Sequence, residues 1–80
     1  MEISEIKKLI EDGITDAEAI VTGDGGKYEA TVISTAFEGL SMIKEHQLVY
    51  KTVNAQIASG ELHALTIKAY TPEEWQQNNA

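Results

Sequence analysis

The chain has 80 residues, of which 42% are hydrophobic, a composition typical of one small globular domain rather than of a disordered segment. It contains no cysteine, which excludes a disulfide framework, a thiol nucleophile and a zinc or iron–sulfur site built from its own thiolates. The net charge of −7, with six lysines and no arginine, opposes binding to a phosphate backbone and favours a protein partner.

The N-terminal residues lack the basic region and the apolar run of a signal peptide. No apolar stretch approaches the roughly 20 residues that a membrane-spanning helix needs. We therefore expect a cytoplasmic protein that has no membrane partner.

The first half of the chain predicts a helix followed by a β-hairpin. Apolar residues recur at helical spacing over residues 2–12, and Gly13 ends the run. Residues 16–22 and 27–34 then alternate between apolar and polar side chains, on either side of the glycine-rich turn 23–26. Two alternating runs around such a turn are typical of a β-hairpin.

A second helix is predicted after a bend at residues 36–40 that contains an aromatic residue of the buried type. Ser41 can cap this helix, and residues 59–60 (Ser-Gly) end it. One face of the helix carries a row of side chains at steps of four, three, four and four, namely Met42, His46, Val49, Val53 and Ile57. In this row we expect His46 to be a packing residue.

The last part of the chain predicts a strand and a short capped helix. Residues 61–70 alternate, and His63 falls in phase with three apolar residues that should face the core, Leu65, Ile67 and Ala69. Thr71 can cap the helix, Pro72 suits its first position, and Glu74 completes a capping box. Residues 76–80 are polar, and we expect them to be frayed.

The element order α-β-β-α-β-α predicts an α+β fold, with helices packed on one face of a three-stranded sheet. Residues 1–80 form a single domain. No nucleophile–base pairing is visible, so the sequence does not predict an enzyme. From the residues alone, His63 is either a hydrogen-bonded structural residue or a metal ligand.

Four segments together resemble the BolA family, and most closely its short bacterial YrbA-like branch. They are residues 37–41 (Phe-Glu-Gly-Leu-Ser), 45–50 (Glu-His-Gln-Leu-Val-Tyr), 62–65 (Leu-His-Ala-Leu) and 71–75 (Thr-Pro-Glu-Glu-Trp). The resemblance extends from the first helix to Trp75, and the order and spacing of the segments make it specific. It implies the class II KH-like fold, which agrees with the element order above.

The resemblance also implies a function. Members of this family pair with monothiol glutaredoxins and share a [2Fe–2S] cluster with the glutaredoxin and its glutathione, for iron–sulfur trafficking or for regulation by iron or stress. The histidine that opens the last strand is their cluster ligand, and it corresponds to His63. We therefore expect Lys27 and His63 to bind the partner. Alone, the chain would be a monomer or a weak homodimer without a cofactor.

The second cluster ligand is left open by the sequence. In related chains a His or Cys from the loop between the first two strands supplies it, and here Lys27 stands at that place. A lysine amine is protonated near neutral pH, and Asp24 offers a hard oxygen that suits sulfur-bound iron poorly. The remaining choices are His46 and no second ligand at all, and a site with one histidine would be labile.

The alternative function is that of a nucleic-acid-binding transcriptional regulator. Some family members are described as such regulators, and the predicted helix after Ser41 carries Lys44 and Lys51 but also Glu45. The turn 23–26 spells a literal GxxG, the pattern that clamps nucleotides in KH domains. There it joins two helices, whereas here it joins two strands and carries the negative charge of Asp24, so turn chemistry explains it better.

Overall fold

The computed structural model describes residues 1–78 of the chain. The helices, and a short 3₁₀ helix, alternate with three strands in the predicted α-β-β-α-β-α order. In chain order the elements are α1 (Ile3–Gly13), β1 (Glu18–Asp24), β2 (Lys27–Ile33), the 3₁₀ helix (Thr35–Phe37), α2 (Met42–Ser59), β3 (Ala64–Tyr70) and α3 (Pro72–Asn78). No helix within these residues is long and apolar enough to cross a membrane.

The predicted caps of α2 and α3 are confirmed. The Ser41 hydroxyl accepts the backbone N–H of Lys44 at 3.3 Å, and α2 ends at Gly60, whose φ of 83° lies in the left-handed region. At α3, the Thr71 hydroxyl accepts the N–H of Glu74 at 3.2 Å, and the Glu74 carboxylate accepts the N–H of Thr71 at 2.8 Å. This reciprocal pair satisfies two backbone donors that the helix itself leaves unbonded.

The three strands form a mixed sheet in the order β1-β2-β3. β1 and β2 are antiparallel and are joined by a two-residue turn at Gly25 and Gly26, whose φ angles of 60° and 84° suit the twist of a hairpin. β2 and β3 are parallel because the chain crosses from one to the other through α2. The parallel register pairs Lys27 with Ala64, so both strands begin at the same end of the sheet.

One face of the sheet forms the core together with α1 and α2, as the predicted alternation requires. Across the three strands the buried positions are in register: Ala19 opposite Val32, Val21 opposite Ala30, Tyr28 beside Leu65 and Ala30 beside Ile67. The helices add Ile6, Ile10, Val49 and Val53, and the bend adds Phe37. The aromatic residue expected to be buried at the bend is therefore buried.

The predicted core position of His63 is wrong. β3 begins at Ala64, three residues later than predicted, and His63 lies outside it, in the segment that leads into the strand, with an exposed side chain. Leu62, which is 1% exposed, enters the core instead, and its backbone N–H donates to the carbonyl of Gln56 in α2. Strand alternation cannot be extended backwards to His63, because the chain there is still completing the turn out of α2.

The row on α2 is buried only at its centre. Val49 and Val53 are fully buried and His46 is half-buried, whereas Met42 is 70% exposed and Ile57 38% exposed at the two ends. The helix is longer than the sheet face that it covers, so its ends project beyond the core. The expectation of a frayed tail is wrong for residues 76–78, which are helical, and for the rest of it lies outside the described residues.

Side chains of α1 cover part of the backbone at the β1 edge of the sheet. At the β1 edge, the Lys7 amino group donates to the carbonyl of Ala19 at 2.7 Å, and the Glu11 carboxylate accepts the N–H of Ala19 at 3.0 Å. The bond from Lys7, followed by the N–H of Ala19, lowers the pKa of Glu11. An ion pair of α1 therefore covers the exposed backbone of β1, a common protection of an edge strand.

Candidate functional site

The turn between β1 and β2 lies directly beside the start of β3. The carbonyl of Gly26 accepts the backbone N–H groups of both His63 and Ala64, each at 3.0 Å. This contact follows from the parallel register, because the residue before β2 and the residue before β3 lie at the same end of the sheet. We call this end, formed by residues 24–27 together with His63 and Ala64, the turn end.

The His63 side chain lies on the Cα of Gly26. A Cβ at position 26 would lie 3.2 Å from Cγ of His63 and would collide with Cδ2. The side chain as a whole is exposed. The imidazole is therefore positioned by its backbone and by a residue without a side chain, while solvent, or another protein, retains access to the ring.

Two of the weaker ligand candidates share the turn end. Asp24 and Lys27 face each other across the hairpin, and both are exposed. Both lie on the sheet face opposite the core, since their neighbours Tyr28 and Leu65 point inward. The three ion pairs formed among residues 1–78 involve neither of them. The structure thus brings His63, Asp24 and Lys27 to one end of the sheet.

His46 lies at the opposite end of β3. It lines a groove between α2 and residues 67–70, and one turn further along α2 the Tyr50 hydroxyl donates to the carbonyl of Leu65 at 3.1 Å. α2 therefore runs antiparallel to β3, which separates His46 from His63 by roughly 20 Å at about 3.3 Å per strand residue. The structure does not bring His46 to the turn end.

A carboxyl group with a raised pKa lies at the end of β3 that carries His46. Beside His46, partial burial raises the pKa of Glu45, and the nearby Glu74 carboxylate of α3 raises it further.

No group of three or more His, Asp or Glu side chains within residues 1–78 could hold a metal ion. Among the described residues of the turn end, the side chains that can ligate a metal are the imidazole of His63 and the carboxylate of Asp24.

The lysines of the alternative function also lie together. Lys44 and Lys51 line a shallow depression of about 440 Å³ on the outer side of α2, with Leu40, Gln47 and Leu48 between them. Both lysine side chains are exposed. This depression is separate from the turn end and from the groove beside His46.

Gly26 is the residue of the site that sequence reasoning missed. The sequence marked residues 23–26 as a turn, and position 26 was available as a glycine with a positive φ. Its contact with the His63 ring depends on the parallel pairing of β2 and β3, which no local pattern encodes.

The chain is similar in sequence to known proteins over most of its length. A family model described as "BolA-like protein" matches residues 7–74. The chain is 37% identical to a protein of Escherichia coli K12 named acid stress protein IbaG, over 94% of this chain and 89% of the relative. It is 38% identical to an uncharacterized protein encoded in the rpoN-murA intergenic region of Acinetobacter guillouiae, over 96% of this chain and 93% of that one.

Solved structures agree with the fold. A BolA homologue from Coxiella burnetii superimposes with a TM-score of 0.86 at 36% identity, covering 95% of this chain and 97% of the other. The BolA domain of SufE1 from Arabidopsis thaliana superimposes with a TM-score of 0.72 at 32% identity, covering 90% and 93%. Both the α+β fold and the sequence resemblance found above are thereby confirmed.

Proposed function

The chain belongs to the BolA-like family, and from this premise we propose that it is an adaptor that docks on a monothiol glutaredoxin and contributes His63 to a shared [2Fe–2S] cluster. Such a complex would serve iron–sulfur trafficking or regulation by iron or stress. The observation that carries the proposal is the exposed His63 imidazole, fixed against Gly26 at the turn end. We propose an adaptor that carries out no catalytic step of its own.

The donor set of this chain suits a cluster only when another molecule supplies the sulfur ligands. A [2Fe–2S] cluster takes four ligands, usually cysteine thiolates, and histidine can replace cysteine on one iron. This chain has no cysteine and two histidines, which lie at opposite ends of β3. Thiolates of the glutaredoxin and of its glutathione would supply the sulfur ligands, and His63 the nitrogen.

A second ligand from this chain finds weak support. Asp24 and Lys27 lie at the turn end, but neither a carboxylate nor a lysine amine is among the soft ligands that suit sulfur-bound iron. Both residues suit a different task, which is contact with the partner around the cluster. With a single imidazole from this chain, the shared cluster should be labile.

A role in stress is supported by the name of one relative. The similar E. coli protein is called an acid stress protein, and it matches this chain over almost its whole length. We propose that the present chain likewise acts in a stress response.

Reconstitution with a partner tests the proposal. The protein is mixed with a monothiol glutaredoxin, glutathione, iron and sulfide, and the complex is followed by visible absorption and circular dichroism. We expect a coloured heterodimer, and we expect His63→Ala to lose or shift its visible bands while His46→Ala leaves them unchanged. If His63→Ala left both the heterodimer and its spectrum unchanged, the assignment of the ligand would be wrong.

A second function, binding of nucleic acid in transcriptional regulation, has one observation in its favour. Lys44 and Lys51 lie around one depression of α2 and could contact neighbouring phosphates. The net charge of −7 opposes it, because counterion release by lysine and arginine dominates such binding. Titration with duplex DNA at increasing salt separates the two: a measurable affinity that falls steeply with salt, and that Lys44→Ala weakens, would favour the regulator.

A further inference from the structure

The outer edge of β3 offers backbone groups that α2 covers only in part. The N–H and C=O groups of one strand residue both point to one edge of the strand, and those of the next residue both point to the other edge. Ala64 donates to Gly26 and Tyr70 accepts from Ser34, so residues 64, 66, 68 and 70 face β2. The groups of Leu65, Ile67 and Ala69 therefore face outward, where the Tyr50 hydroxyl binds the carbonyl of Leu65.

Beyond Tyr50, the described side-chain hydrogen bonds leave the outward backbone groups of this edge without a partner. Among the side chains of residues 1–78, none forms a hydrogen bond with the backbone of Ile67 or Ala69. The contrast with the β1 edge is direct, since there Lys7 and Glu11 bind both backbone groups of Ala19. An unpaired strand edge accepts a further strand through its main chain.

A groove of about 250 Å³ follows this edge. Its wall is the first turn and a half of α2, with Met42, Glu45 and His46, and its other side is formed by residues 67–70. Met42 is 70% exposed at the mouth of the groove. A strand edge beside the wall of a helix is the arrangement in which extended peptides bind, with the main chain on the edge and alternate side chains against the helix.

The charge of the groove selects the occupant. Glu45 lines it, and burial and then the Glu74 carboxylate raise the pKa of Glu45, which an interaction with His46 partly opposes. The other basic lining residue, Lys68, has its amino group 3.4 Å from the Glu29 carboxylate. We propose that this groove binds an extended, basic segment of another protein as an additional strand on β3. A second copy of this chain would bring equal negative charges together, which disfavours self-pairing. The site is separate from the turn end and does not depend on a cluster.

Titration with designed peptides tests this inference. The probe is a capped heptapeptide of alternating lysine and valine. One control replaces every lysine by glutamate, and a second carries N-methyl groups on alternate residues, which removes the donors of one edge while keeping the side chains and charge. We expect the basic peptide to bind, with affinity at least tenfold lower for the N-methylated and the acidic peptides, because strand addition needs both the main-chain bonds and the charge.

Amide hydrogen exchange locates the contact. The N–H groups of Ile67 and Ala69 should exchange faster than those of Thr66 and Lys68 in the free protein, and should become protected when the basic peptide is bound. Glu45→Gln should weaken the peptide about threefold, whereas Glu38→Gln, a change in an exposed residue of the bend outside the groove, should leave it unchanged.

His63→Ala should bind the peptide as the parent does, which separates this inference from the proposed cluster site. Equal binding of the N-methylated peptide would overturn the proposal, because charge alone would then account for the affinity. Protection of Ile67 and Ala69 that rises with protein concentration, without any peptide, would overturn it in favour of a second copy.

Discussion

The two ends of β3 each place a histidine, in opposite ways. At the turn end, His63 is held by its own backbone and by the Cα of Gly26, and its side chain stays exposed. At the other end, His46 projects from α2 into a groove beside Glu45, where it is half-buried. The His63 side chain is therefore more accessible to a partner than the His46 side chain, part of which is covered by its own chain.

The difference has an origin in topology. The parallel crossover aligns the starts of β2 and β3, so the turn end consists of a turn and a segment leading into a strand, with backbone groups in close contact. The other end is where a long helix begins and overhangs the sheet, so it consists of side chains around a groove. We propose the first end as the place where a metal shared with another protein is bound, and the second as the place where a peptide binds.

The largest effect should come from filling the space beneath His63. Gly26→Ala introduces a Cβ that collides with the imidazole, and it places alanine at a φ of 84°, where a non-glycine residue costs about 1–3 kcal/mol. We expect a loss of unfolding free energy in that range, measured by urea denaturation. The reconstituted heterodimer should lose its visible bands even in the folded fraction, because His63 is displaced.

Gly25→Ala is the matched control for this change. Position 25 also has a positive φ, of 60°, but a Cβ there meets no atom within 4 Å. It should cost about 1 kcal/mol in backbone strain and leave the cluster spectrum unchanged. Equal spectra for the two variants would show that Gly26 does not position His63.

A smaller effect of opposite sign is expected at the other end. Burial and Glu74 raise the pKa of Glu45, so its charged form is less favourable in the folded protein than in the unfolded chain. Glu45→Gln should therefore raise the unfolding free energy near pH 7 by about 0.5 kcal/mol, a modest value because the side chain is only partly buried.

The stabilisation expected from Glu45→Gln should depend on pH. Because the folded-state pKa is raised, the penalty exists above this pKa and disappears as the pH falls through it and Glu45 takes up a proton. The advantage of Glu45→Gln should accordingly shrink as the pH is lowered from 7 towards 4, measured by thermal unfolding. An advantage that grew towards acid pH would contradict this electrostatic account, and Glu38→Gln should show neither effect.

Local signals in the sequence were sufficient for the helices, the hairpin and the caps. The capping box of Thr71 and Glu74 was predicted from spacing alone, because each partner lies within one helical turn of the other. The buried alternation of β2 was predicted for the same reason, since the period of a strand is a local property. The order of the elements then predicted a three-stranded sheet with helices packed on one face.

Features that depend on distant contacts were not predicted. The alternation of residues 61–70 predicts a core position for His63. The sequence does not show that the chain is still leaving α2 at this residue, or that Leu62 occupies the core position instead. It could not show that Gly26 and His63 touch, since their contact arises from pairing between strands 37 residues apart in register. The sequence also does not show which edge of the sheet is covered by side chains. That depends on the hydrogen bonds that Lys7 and Glu11 of α1 form with the backbone of Ala19.

The most direct test of the shared cluster is to detect the nitrogen of His63 on the iron. The protein is labelled with ¹⁵N only in its histidines and combined with unlabelled glutaredoxin, and the reduced cluster is examined by electron–nuclear double resonance. We predict a strongly coupled ¹⁵N signal that disappears in His63→Ala and persists in His46→Ala. A spectrum with sulfur as the sole donor to both irons, and with no histidine nitrogen coupled, would contradict the proposed function.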